Sequence, residues 1–175
     1  MATARRRAGV ANGAALALSL ALVLGRSAAV AGPPVTAGSN EFFVNASSMS
    51  LAGLSYAGNT TISSGAVASL PVMEFTISGS DAAGFALSTQ CAGGVTQTDA
   101  AGAGKSATFT GSTTLLLTSF AATAAGGTAF SFTPSSPPPA AWPYSGPYTS
   151  VSLTAARITG AALAVPAQTT RAGFC

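Results

Sequence analysis

Val72-Met73-Glu74-Phe75-Thr76-Ile77-Ser78 repeats with a period of two: Met73, Phe75 and Ile77 alternate with Val72, Glu74, Thr76 and Ser78. Successive side chains of a strand point to opposite faces, so this alternation marks a half-buried β-strand. The same pattern recurs downstream. Ala107 and Phe109 lead into Thr113, Leu115 and Leu117, opposite Thr108, Thr110, Ser112 and Thr114. Phe130 and Phe132 alternate with Ala129, Ser131 and Thr133, and Val151, Leu153 and Ala155 with Ser150, Ser152 and Thr154. Further strands are expected over 41–46, 48–55, 60–63, 85–89 and 161–165.

Turns are expected at Gly58-Asn59, Gly79-Ser80-Asp81, Gly93-Gly94, Gly102–Gly104 and Gly126-Gly127. Alanine is frequent, but it is interleaved with Gly, Ser and Thr, and no long apolar stripe of helical period runs through this part of the chain. Short strands divided by regular turn signals describe an all-β domain: a β-sandwich, a barrel or a solenoid-like stack. The segment Val44–Leu54 weakly echoes Leu153–Leu163. Two such copies could be paired halves of one sheet, although a chain rich in Ala, Ser and Thr produces such echoes by chance.

The N-terminus reads differently. Arg5, Arg6 and Arg7 precede an apolar run from Gly13 to Leu24, which Arg26 closes. Ala29-Val30-Ala31 then gives a small-residue exit before Gly32-Pro33-Pro34. A basic region, a short apolar stretch and an A-x-A site form a secretory signal peptide, with cleavage expected between Ala31 and Gly32. The apolar run is too short for a spanning helix, which needs about 20 residues. No stable membrane span is expected after processing, and the destination is secreted or cell-surface. The expected organisation is therefore a signal peptide over 1–31 and a secreted all-β domain over 32–175.

Processing changes the charge. Four of the seven basic residues lie before residue 32, so beyond it three basic residues face four acidic ones. The net charge of +3 belongs to the precursor, and the mature chain offers no basic surface for nucleic acid. Val, Ile, Leu and Phe make up 28 of the 144 residues from 32 onward, and all nine Phe are among them. A thin core weighted towards phenylalanine follows. Cys91 and Cys175 are the two cysteines. In an exported chain they are expected to form a disulfide, worth about 4–5 kcal/mol for so long a loop on the chain-entropy account.

Pro134–Tyr148 breaks the composition, with Pro137-Pro138-Pro139, Trp142-Pro143-Tyr144 and Pro147-Tyr148. Its prolines favour an extended loop over a central strand. Trp142, Tyr144 and Tyr148 make it a candidate interaction loop for glycan, peptide or lipid. The simpler alternative is a long crossover whose Trp142 caps the end of the core.

Histidine is absent, which removes the usual general base and the commonest metal ligand. With the cysteines bridged, thiol nucleophiles and zinc sites go as well. Glu41, Glu74, Asp81 and Asp99 are far apart in sequence, and no Gly-x-Ser-x-Gly elbow accompanies Lys105. No enzyme activity, catalytic residue, metal site or cofactor is expected.

Asp99–Ser106 ends like a phosphate-binding loop, but Asp99 stands where glycine is required, and a Gly-rich hairpin is expected there. Asn45-Ala46-Ser47 and Asn59-Thr60-Thr61 fit a glycosylation sequon that matters only in a eukaryotic secretory pathway. The row Thr108, Thr110, Ser112, Thr114 could meet ice or a polysaccharide, but reads more simply as the solvent side of a strand.

Phe43-Val44-Asn45-Ala46, Met73-Glu74-Phe75-Thr76 and Phe132-Thr133-Pro134-Ser135-Ser136-Pro137-Pro138-Pro139, behind an Arg-rich signal, resemble a loose group of uncharacterised secreted proteins of high-GC actinobacteria. The resemblance implies export and a β-rich fold and brings no catalytic residue. Two functions are then open. One is a secreted non-catalytic β-domain that holds an apolar ligand or envelope lipid in a Phe-lined interior. The other is a structural or interaction protein of the cell surface. They differ in one observable: a lipid binder needs a continuous cavity lined by residues such as Phe75, Phe85, Phe109 and Phe132, whereas a surface protein packs these rings together.

Overall fold

The computed structural model describes residues 35–36, 41–64, 67–89, 95–144 and 146–174. The signal segment 1–31, the Ala31–Gly32 junction and both cysteines lie outside the described residues, as do Gly93 and Gly94. The chain is all-β, with no helix among the described residues. Its strands in order are β1 (Val35–Thr36), β2 (Phe42–Ala52), β3 (Ser55–Ser64), β4 (Val67–Ala83) and β5 (Ala86–Thr89), followed by β6 (Val95–Ala100), β7 (Ser106–Thr123), β8 (Ala129–Phe132), β9 (Tyr148–Ala164) and β10 (Thr169–Phe174).

Every ladder is antiparallel. β2 pairs with β4, β4 with β7, β7 with β9, and β9 returns to β2. The hydrogen bonding thus closes on itself, so of the three expected architectures the ring of pairings is that of a small barrel. The sheet extends from the ring through β5, β6 and β10 on one side and β1 on the other. The two echoing segments meet within the ring, with Val44 opposite Leu153.

β2 and β3 share one partner. Phe42 pairs with Thr89 at one end and Ser64 with Val67 at the other, so 42–64 and 67–89 form a single long hairpin. Each arm bends once, at Gly53 between β2 and β3 and at Gly84 between β4 and β5. These glycines have φ of 62° and 61°, a left-handed conformation that side chains resist. A Cβ on either would come within 2.7 Å of a serine Oγ on the facing strand, Ser78 or Ser47.

Several expected boundaries move as a result. The strands expected at 41–46 and 48–55 are one strand, β2. Gly79-Ser80-Asp81 and Gly58-Asn59 are not turns: they lie inside β4 and β3, at or beside register shifts. A glycine in a strand serves a bulge as readily as a turn, and local sequence does not distinguish the two. Gly102–Lys105 does turn, with Lys105 N–H bonded to Gly102 O at 2.9 Å. It joins β6 to β7, which do not pair with each other, so it is a corner and not the expected hairpin. Gly126-Gly127 turns the β7–β8 hairpin as expected. Pro71 is tolerated within β4 because the β7 ladder begins only at Met73 and leaves that stretch of edge unpaired.

The core is read off the alternation, with one complication. Three ring strands switch their inward-facing set once: Phe42, Val44 and Ala46 then Met49; Met73, Phe75 and Ile77 then Ser80 and Ala82; Thr113, Leu115 and Leu117 then Phe120 and Ala122. β9 switches repeatedly, from Tyr148 to Val151, Leu153 and Ala155, then to Ile158 and then to Leu163. Bulges at Ile77/Gly79 and Leu117/Ser119 account for two of these switches. β2 and the start of β9 switch together where Ser47, beside Gly84, stands across from the positive-φ Ser150, and the later switches of β9 fall at the register shifts Leu116/Leu117 and Thr110/Thr113. Such irregularities bend long strands around a narrow ring and re-aim their side chains. Outside the ring, Val72, Leu116 and Ala156 bury one another beneath Ile62 and Leu70 of the long hairpin. That satellite explains why Val72 stands on the polar side of the alternation.

Candidate functional site

The Pro-rich segment returns across one end of the barrel and lays Trp142 on the core. The Trp142 ring stacks on Phe120, with centroids 5.8 Å apart and planes within 8°. Phe75 and Phe130 meet it edge-on at 5.8 and 5.7 Å. Tyr144 stacks on Phe130 at 4.9 Å. Offset stacking and edge-to-face contacts are the favourable geometries of aromatic quadrupoles, adding about 0.5–1.5 kcal/mol per pair beyond area burial. The polar atoms are satisfied in sequence: Trp142 Nε1–H donates to Tyr148 Oη at 3.0 Å, and Tyr148 O–H donates to the Tyr144 carbonyl at 3.3 Å. Asn59 Nδ2 donates to the Pro134 carbonyl at 2.7 Å and ties the start of the loop to β3.

The three residues of the candidate loop therefore differ in access. Tyr148, the first residue of β9, is 2% exposed and its hydroxyl is committed. Burial pushes its phenol up from the ordinary value, partly opposed by the Trp142 hydrogen bond. Trp142 and Tyr144 are half-buried, each with part of its ring in solvent.

The phenylalanines named for a ligand cavity are packed. Phe75 is fully buried and meets Phe120 edge-on at 5.7 Å, while Phe85 meets Phe109 at 6.2 Å. Phe132 stacks on Phe130 at 5.1 Å. The cavity between Val44, Met49, Ile77, Ser80, Phe109 and Leu153 measures about 10 Å³. A single water needs about 10–15 Å³, and small-molecule pockets take about 300–1,000 Å³. Into this apolar gap points Ser80, 7% exposed, with an Oγ that has no hydrogen-bond partner.

The charged groups lie apart. Glu41 accepts a hydrogen bond from Thr118 Oγ1, and Asp99 accepts from Gln97 and Thr170. Glu74 stands across Leu116 from Arg157 on the outer face, and Asp81 stands between Ser50 and Thr108. Among the described residues no three of His, Cys, Asp and Glu converge as metal ligands. Thr108, Thr110, Ser112 and Thr114 face outward, while Ala107, Phe109, Thr113 and Leu115 between them are buried. The row is the solvent side of β7, as its alternation implied.

Comparison with known proteins returns nothing. No family model, curated protein or solved structure matches the chain.

Proposed function

We propose that this chain is a secreted, non-catalytic β-domain that serves as a structural or interaction protein of the cell surface, with its outer sheet faces and the Trp142 loop meeting the partner. The observation that carries this reading is the packed interior: the phenylalanines a lipid would need as walls are spent on one another, and the cavity beside Phe109 measures about 10 Å³. Hydroxyl-bearing strand faces keep such a domain soluble with few charges.

A Cys91–Cys175 bridge belongs to the same proposal. The β6–β10 ladder runs to its last pair, Val95 and Phe174, so in sequence Cys175 follows one partner directly and Cys91 precedes the other by four residues. A bridge there would fasten β10, which has β6 as its only partner among the described residues.

Native mass spectrometry of the protein recovered from culture supernatant and cell-surface washes tests the reading. The expected species begins at Gly32, is two hydrogens lighter than the reduced chain and carries no lipid. A lipid-like mass that leaves on collisional activation would replace this reading with an apolar-ligand carrier, and a retained signal segment would remove the cell-surface assignment.

A further inference from the structure

Where β2, β4 and β7 run side by side, the outer face of the barrel sinks into an open groove of about 390 Å³. Two rows of paired residues build it. Ser50, Asp81 and Thr108 face one another across the three strands, and next to them Ala52, Gly79 and Thr110 do the same. Gly79 lines it without a side chain and sits at the register shift of β4. Ser50, Ser78, Asp81, Thr108 and Thr110 make the walls.

These wall groups are uncommitted. Some hydroxyls elsewhere are bonded internally, Ser47 to the Ala83 carbonyl, Ser119 to Thr154 and Thr170 to Asp99, while others, such as Thr60, Ser112 and Ser152, are as open as those of the groove. The four groove hydroxyls and the Asp81 carboxylate make no hydrogen bond to other described residues, and Ser50, Ser78, Asp81 and Thr110 are exposed. No Lys or Arg lines the groove, so it offers nothing to an anion. One carboxylate with four hydroxyls falls short of the several charged oxygens a divalent cation takes. The chemistry that fits is a neutral polyhydroxylated chain: Asp81 accepts hydroxyl donors, and Ser and Thr both donate and accept.

We propose that this groove binds a neutral glycan chain. The proposal rests on reading the domain as an interaction protein and names the partner's chemistry. Amide chemical-shift titration of the folded protein tests it, with cellohexaose and chitohexaose as probes and arginine amide as a cationic control. The expected result is a saturable response at millimolar hexasaccharide, confined to 50–52, 78–81 and 108–111. Asp81→Ala should weaken it about tenfold, because a charge-assisted hydrogen bond is lost, and Thr110→Val should weaken it less. Both sites are exposed, so unchanged thermal melts will show that the variants fold. No response to either hexasaccharide, or a stronger response to arginine amide, would overturn the proposal. A glycan response at Trp142 and Tyr144 would overturn the groove yet leave the interaction reading intact, whereas bound lipid in the native mass spectrum defeats that reading independently of the groove.

Discussion

The two parts of the barrel interior solve the same problem with different materials. At the Trp142 end, Phe75, Phe120, Phe130 and Tyr148 interlock around the indole, and the side-chain polar atoms of Trp142 and Tyr148 are hydrogen-bonded. Towards the other end the facing pair Ala82 and Ala107 is small, the aromatic content falls to Phe85 against Phe109, and Ser80 stands unpaired beside a small void. A thin core can thus be made firm where large rings meet, and it is left loose where alanine fills in. Stability should be distributed in the same way.

Truncation gives the strongest test of that contrast. Phe120 is 1% exposed and touches Phe75, Phe130, Trp142 and Tyr148, so Phe120→Ala should cost about 3–5 kcal/mol in chemical denaturation. Phe85→Ala should cost less, and equal losses would erase the difference between the ends. Replacing Cys91 by Ser should remove about 2–5 kcal/mol if the bridge forms. Hydrogen exchange should then rise first at 169–174, while the aromatic end keeps its protection. Uniform loss along the barrel would show that β10 is not held by that link.

Tyr148→Phe removes the acceptor of the Trp142 N–H and should cost about 1–2 kcal/mol by thermal melt. Alkali acts on the same residue. Its folded-state pKa is raised above the ordinary tyrosine value, so the folded chain binds more protons than the unfolded chain between the two values. Stability is intact below about pH 10 and should fall as the pH rises through the folded pKa. Tyr148→Phe should flatten that fall and leave only the contribution of Tyr56, which burial also raises. The smallest effect has the opposite sign. Ser80→Ala deletes an unpaired buried hydroxyl and should stabilise the loose part by about 0.5–1 kcal/mol. A destabilised Ser80→Ala would mean that the hydroxyl has a partner, such as a water in the void.

How far the sequence revealed this follows from which signals are local. The alternations at Met73–Ile77 and Ala107–Leu117 identified β4 and β7 and their inward residues correctly, because period two is a property of a few neighbours. The switch from Ile77 to Ser80 was not legible, since a bulge is imposed by the facing strand, and Gly79 was read as a turn for that reason. Ring closure was equally hidden: nothing near Val44 announces Leu153 as its partner, and even the echo between their segments was too weak to carry weight. The Pro-rich stretch was read as a loop through Tyr148, but Tyr148 opens β9, and its burial depends on Phe120 and Trp142 arriving from elsewhere. The groove escaped notice because its members come from three strands, and only Thr108 and Thr110 stood out within one of them.

The β9–β2 ladder also sets a timetable. Its pairs, from Phe42 with Ala155 to Met49 with Tyr148, join residues on the order of 100 apart along the chain. The ring cannot shut until nearly all of the polypeptide is available. Non-local β-pairing of this kind folds slowly, on the scale of milliseconds to seconds, because loop entropy is lost before the contacts form. The unpaired strand that waits for its partner is nearly free of charge between Glu41 and Glu74, and charge is what usually discourages strangers from pairing with such an edge. For this chain the hazardous interval is the one before closure, and its yield should depend on how dilute the chains are kept until β9 comes home.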